Sequence, residues 1–102
     1  MIDLLIQHRA EIANLCRNFH VRTLEAFGSA ADGNWDPNHS DLDFLVDFMP
    51  EASKQIAADY FGLLHALEDL FALKVDLVME RAIRNPYLRE SVDRSRRRLY
   101  AA

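Results

Sequence analysis

The chain has 102 residues, half of them apolar, with 12 basic and 16 acidic side chains and a formal net charge of −4. That length and composition support one domain with a small but adequate core, and the acidic balance excludes indiscriminate binding to nucleic acid or anionic lipid. Cys16 is the lone cysteine, which excludes a disulfide framework or a cysteine zinc site, and no apolar run approaches the ~20 residues of a membrane span, so a soluble chain in the reducing cytoplasm is expected.

Residues 2 to 18 place Ile2, Leu5, Ile6, Ala13, Leu15 and Cys16 at roughly helical spacing among Gln7, Arg9, Glu11 and Arg17, which predicts an amphipathic helix. VRTLEAF, residues 21 to 27, is β-branched and aromatic and stops at Gly28-Ser29, so it reads as a strand feeding a tight turn. A loop rich in Asp, Asn, Gly and Pro runs from Asp32 to Ser40. Leu42 to Phe48 is a second strand closed by Pro50. From Ser53 to Phe71, apolar residues recur at helical intervals, which assigns Tyr60, Phe61 and Phe71 to the core. KVDLVM, residues 74 to 79, is a short strand with one acid inside it. Asn85-Pro86 then supplies an N-cap and a first-turn proline for a last helix reaching about residue 98. Arg94, Arg96, Arg97 and Arg98 read first as a solvated face of that helix, with contact to a partner or to phosphate as the alternative. The order is helix, strand, loop, strand, helix, strand, helix, with no repeat and a single domain over residues 1 to 102.

Five aspartates, Asp32, Asp36, Asp41, Asp43 and Asp47, crowd residues 27 to 48. In a strand, residues i and i+2 share a face, so Asp41 and Asp43 project together while Leu42 and Phe44 pack on the other side. Like charges so close repel unless a cation sits between them. Asp76, in the third strand, can aim at the same point if that strand neighbours the second. Three hard oxygen ligands on rigid elements favour Mg²⁺, and two such ions about 3.5 to 4 Å apart can clamp both oxygens of a phosphoryl or nucleotidyl displacement. Gly28 lets the backbone approach a ligand without a Cβ, and a short helix starting near Ser29 would offer N–H groups and a hydroxyl to the phosphates of a nucleoside triphosphate.

The pattern Gly28-Ser29, eleven residues, Asp41-Leu42-Asp43, then Asp76 resembles the DNA polymerase β-type nucleotidyltransferase superfamily. The small size and the closing RRRLYAA look most like the minimal nucleotidyltransferase (MNT) proteins that pair with HEPN-domain partners. The resemblance implies an α+β fold with a small mixed sheet and flanking helices. It implies Asp41, Asp43 and Asp76 as catalytic ligands of two Mg²⁺ ions, Gly28 and Ser29 as nucleotide-binding residues, and Asp76 as helper in deprotonating the acceptor. It also implies an antitoxin that transfers AMP from ATP to a tyrosine of a HEPN toxin, in a hetero-oligomer with that toxin, with no direct nucleic-acid binding. Many relatives read G-S-R-A-R-G after the first strand. This chain has Ala30, Ala31, Asp32 and Gly33 after Gly28-Ser29, so both arginines are absent.

Other readings compete. Asp32, Asn34, Asp36, Asn38, Ser40 and Asp43 fit the ligand positions of an EF-hand-like calcium loop, but Pro37 stands where a glycine is needed and a β-rich run follows. Asp47 lies some 13 Å along the strand from Asp43 and reads as a solvated strand end, while Asp32 and Asp36 read as turn formers. Trp35 suits either base stacking or satellite packing. Two further functions stay open: an antitoxin that neutralises its partner by complex formation alone, and a nucleotidyltransferase for a small molecule or RNA end aided by a separate binding subunit.

Overall fold

The computed structural model describes all 102 residues. Its centre is a four-stranded mixed sheet of β1 (Val21–Phe27), β2 (Leu42–Phe48), β3 (Val75–Met79) and β4 (Arg97–Ala101), in the order β3-β2-β1-β4. β1 runs antiparallel to both β2 and β4, whereas β2 and β3 are parallel. The parallel pair requires a crossover, and α4 (Ile56–Phe71) supplies it. The fold is α+β, as the element order and the resemblance imply.

Alternation along each strand sorts the side chains. Leu42, Phe44, Val46 and Phe48 of β2, Leu24 and Ala26 of β1, and Val75 and Leu77 of β3 all enter the main core. There they meet Leu5 of α1 (Asp3–Gln7), Ile12 and Cys16 of α2 (Arg9–Asn18), and Leu63, Leu67 and Phe71 of α4. The opposite face of the sheet carries Glu25, Phe27, Asp43, Leu45 and Asp76. It is partly covered by α5 (Pro86–Ser95), whose Val92 packs with Phe27 and Leu45 in a second, smaller cluster.

Several expectations need correction. The first helix breaks at His8, whose backbone leaves helical geometry at ψ 17° and whose ring Nδ1 sits 2.8 Å from the Leu4 carbonyl. The helix expected from Ser53 begins as a 3-10 turn over Pro50–Lys54, and α4 starts at Ile56. Phe61 is 55% exposed rather than core, because it lies on the outward face of α4. Asp47 is buried, not solvated: Arg22 and Arg81 reach its carboxylate at 2.6 and 3.1 Å. The last helix ends at Ser95, and the residues after it form β4 along the edge of β1. Arg96 drives that change of direction. Its guanidinium bonds both oxygens of Glu25, at 2.6 and 3.0 Å, and reaches Glu80 and Asp93 as well, which draws the chain onto the sheet.

Candidate active site

The acidic residues gather at one end of the sheet. In the parallel register of β2 and β3, Asp43 lies opposite Asp76, and in the antiparallel register of β1 and β2 it lies opposite Phe27. Asp41 precedes β2 and is exposed, with its carboxylate 3.9 Å from the Lys74 ammonium. Its backbone carbonyl accepts a hydrogen bond from the Trp35 indole at 3.2 Å, and Trp35 packs against the main core, so the satellite-packing role describes this tryptophan. The structure thus juxtaposes Asp43 and Asp76 directly and leaves Asp41 at the rim. No three carboxylate, imidazole or thiol side chains stand close enough together to form a metal-binding group.

Asp43 is the electrostatic centre of this region. Burial pushes its pKa up to about 6, and the charges of Asp76 and Asp41 push the same way. Neither Asp43 nor Asp76 has an ion-pair partner, in contrast to Glu25 and Asp47 on the same sheet. A pair of facing carboxylates without a protein cation is a donor set suited to a hard divalent ion, and Mg²⁺ chemistry fits these residues.

Gly28 follows β1 directly and has φ 66° and ψ −147°, a conformation open to glycine and costly for other residues. A Cβ there would sit 2.8 Å from Asp43 Oδ2, so the missing side chain also makes room for the carboxylate. Ser29 opens α3 (Ser29–Asp32), a single helical turn that packs on β1 and β2. Ala30 and Ala31 of that turn belong to the main core, with 0% and 2% exposure, so the place of the first missing arginine has no room for a guanidinium. The structure therefore brings Gly28 against Asp43, whose register partner is Asp76, and sets Ser29 next in the turn.

Residues 9–99 match the nucleotidyltransferase domain family. The chain belongs to this family. A proposed protein adenylyltransferase of Methanocaldococcus jannaschii is 36% identical over 93 residues, 89% of this chain and 86% of the relative. Among solved structures, a proposed minimal nucleotidyltransferase is 35% identical, with a TM-score of 0.74 over 93% of this chain and 92% of the other. A variant of the MntA–HpeT toxin–antitoxin pair includes a chain that is 26% identical, with a TM-score of 0.64 over 91% of this chain and 72% of that one. The chain is a nucleotidyltransferase, as the family resemblance carried by Gly28-Ser29, Asp41-x-Asp43 and Asp76 implied.

The sequence did not reveal a polar cavity of about 350 Å³ beside Gly28, lined also by Asp32, Ser91, Arg94, Ser95 and Arg97. The advance signal was the excess of arginine near the C-terminus, which reads first as a solvated helix face, with contact to a partner or to phosphate as the alternative.

Proposed function

We propose that this nucleotidyltransferase transfers AMP from ATP to a hydroxyl of a partner protein, and that it serves as the antitoxin of a pair in which the acceptor is a tyrosine of a HEPN-domain toxin. The observation that carries the reading is the Asp43–Asp76 register pair, two facing carboxylates without a protein cation, set against the glycine turn at Gly28. The name carried by the M. jannaschii relative supports adenylyl transfer to protein. The toxin–antitoxin structure supports the pairing, and the HEPN partner and tyrosine acceptor rest on the resemblance of the Gly28-Ser29, Asp41-x-Asp43 and Asp76 pattern.

In this reading Asp41, Asp43 and Asp76 would hold Mg²⁺, with Asp76 on the side of the acceptor. Mg²⁺, when bound, supplies positive charge to the phosphates in flight. Asp76 accepts the proton of the acceptor hydroxyl. That oxygen bonds to the α-phosphorus, and the bond from the α-phosphorus to the oxygen of the β-phosphate breaks, releasing pyrophosphate. Gly28 keeps the backbone low enough for the phosphates to reach Asp43, and the Ser29 hydroxyl is a donor to them. The small domain has little surface for gripping a free acceptor, so the partner brings its own docking surface, and the two form a hetero-oligomer in the cytoplasm.

The test incubates the chain with labelled ATP, Mg²⁺ and the protein encoded beside it. Label should move to the partner and its toxicity should fall, with both effects lost in Asp41→Asn and Asp43→Asn. Neutralisation that survives both substitutions without label transfer would instead establish inhibition by complex formation.

A further inference from the structure

The four strands present their chemistry in order at one end of the sheet. Asp76 begins the series on β3, Asp43 follows on β2, Gly28 comes just beyond β1, and Arg97 opens β4, with Ala26 of β1 as its register partner. At ~4.8 Å per strand the series spans about 14 Å, from uncompensated carboxylates to guanidinium groups. Arg94, from the last turn of α5, joins Arg97 around the cavity, which contains no apolar side chain and only one acid, Asp32.

Two features hold the arginines there. The Gly28 N–H donates to Ser95 Oγ at 2.9 Å, and that hydroxyl donates to the Ser91 carbonyl at 3.2 Å, which ties the end of α5 to the glycine turn. Arg96 is clamped to the buried Glu25, so its neighbours at 94 and 97 are left on the cavity side. Arg97 makes no ion pair. Arg94 has only the exposed Glu90 at 3.5 Å, a pairing worth little in water and easily exchanged for another anion.

We propose that Arg94 and Arg97 bind the β- and γ-phosphates of the nucleoside triphosphate, so that pyrophosphate leaves into this cavity; the proposal rests on the nucleotidyl-transfer reading above. The polarity across the sheet gives the displacement its direction. The acceptor oxygen enters on the Asp76 side, the α-phosphorus lies by Asp43, and the electron pair of the broken P–O bond goes to pyrophosphate beside two guanidinium groups. Arginine suits this place because its planar fork binds phosphate oxygens in pairs. Asp32, on the same wall, keeps the empty cavity from carrying two unbalanced positive charges.

Calorimetric titration of the full chain tests this with inorganic tripolyphosphate, ATP and AMP, each in Mg²⁺. The wild-type chain should bind tripolyphosphate. Affinity for tripolyphosphate and ATP should fall about tenfold in Arg94→Ala and again in Arg97→Ala, while AMP affinity should stay constant. The double lysine variant should recover part of the loss, which also answers any concern that the alanine variants are misfolded. A folded double alanine variant that binds tripolyphosphate and ATP as the wild type does, or a wild-type chain that does not bind tripolyphosphate, overturns the proposal. Asp43→Asn separates the two readings. Loss of Mg²⁺-dependent ATP binding in Asp43→Asn alone leaves nucleotidyl transfer standing and removes the arginine site, whereas loss in the arginine variants alone does the reverse.

Discussion

Asp43→Asn should stabilise the metal-free protein while removing its response to Mg²⁺. The Asp43 carboxyl titrates near 6 rather than at its ordinary 3.8, chiefly because it is desolvated, with Asp76 and Asp41 adding repulsion. A rise of about two pK units corresponds to ~3 kcal/mol of penalty on the charged form, at ~1.36 kcal/mol per unit. Asp43 is only half-buried, and solvent screening reduces this to about 1.5 kcal/mol. The folded state holds its proton more tightly than the unfolded chain, so the penalty is absent below about pH 4, grows between about 4 and 6, and is complete above 6. The amide of the variant would carry no charge, and Asp43 has no hydrogen bond or ion pair to lose. Thermal unfolding in EDTA at pH 7.5 should therefore give a Tm higher by about 6 to 12 °C for a domain of this size. The wild type should lose stability from pH 4 to 6 relative to the variant. Added Mg²⁺ should raise the wild-type Tm and leave that of the variant unchanged. An equal or lower Tm for the variant in EDTA would refute the claim that Asp43 is held against electrostatic strain.

Other substitutions probe the supports of the site. Gly28→Ala introduces a strained φ of 66° and a Cβ 2.8 Å from Asp43 Oδ2, and should cost about 1 to 3 kcal/mol in chemical denaturation together with transfer activity. Arg96→Ala leaves Glu25 buried with only Arg98, at 3.5 Å, as a partner, and should cost about 3 kcal/mol by urea titration. The wild type should show the acid side of the same clamp. Hydrogen bonding and charge from Arg96 lower the Glu25 pKa below its usual 4.5, so the stabilisation is present above about pH 4.5 and is lost as pH falls through the depressed value, visible as acid unfolding that Arg96→Ala shifts to higher pH. Burial pushes the Cys16 thiol up to about 12, so a thiol reagent at pH 8 should label Cys16 only as fast as the chain opens, and label without denaturant at the rate of a free thiol would contradict its burial.

Strand parity made most of the sheet legible. The limits of β1 and β2 match the sequence expectation; β2 alternates between core residues and the other face, whereas in β1 an irregularity between Val21 and Thr23 lets Val21 and Leu24 both enter the core. The same parity correctly placed Asp43 apart from Leu42 and Phe44. It could not say what would cover the second face. Asp47 reads as solvated when only its own strand is considered, yet Arg22 on β1 and Arg81 after β3 close over it. Nothing local in LDFLVDF reports those partners. The broken first helix has a comparable origin, since His8 stacks edge-on to Phe71, 63 positions away, with ring centroids 5.3 Å apart.

The end of the chain shows most clearly why part of the site stayed hidden. RRRLYAA lacks the alternation of a half-buried strand, and a run of arginines after a helix ordinarily continues as a solvated turn of that helix. What turns it into β4 is a pairing across 71 positions, the Arg96 guanidinium on Glu25. That same pairing separates the four arginines by role: Arg96 and Arg98 neutralise Glu25, while Arg94 and Arg97 face the cavity beside Gly28. The absence of arginine at Ala30 and Asp32 therefore does not leave this end of the sheet without cations. Ala30 is fully buried and serves the core. Positive charge instead arrives from the far end of the chain, at a place that only the β1–β4 register makes adjacent to the glycine turn.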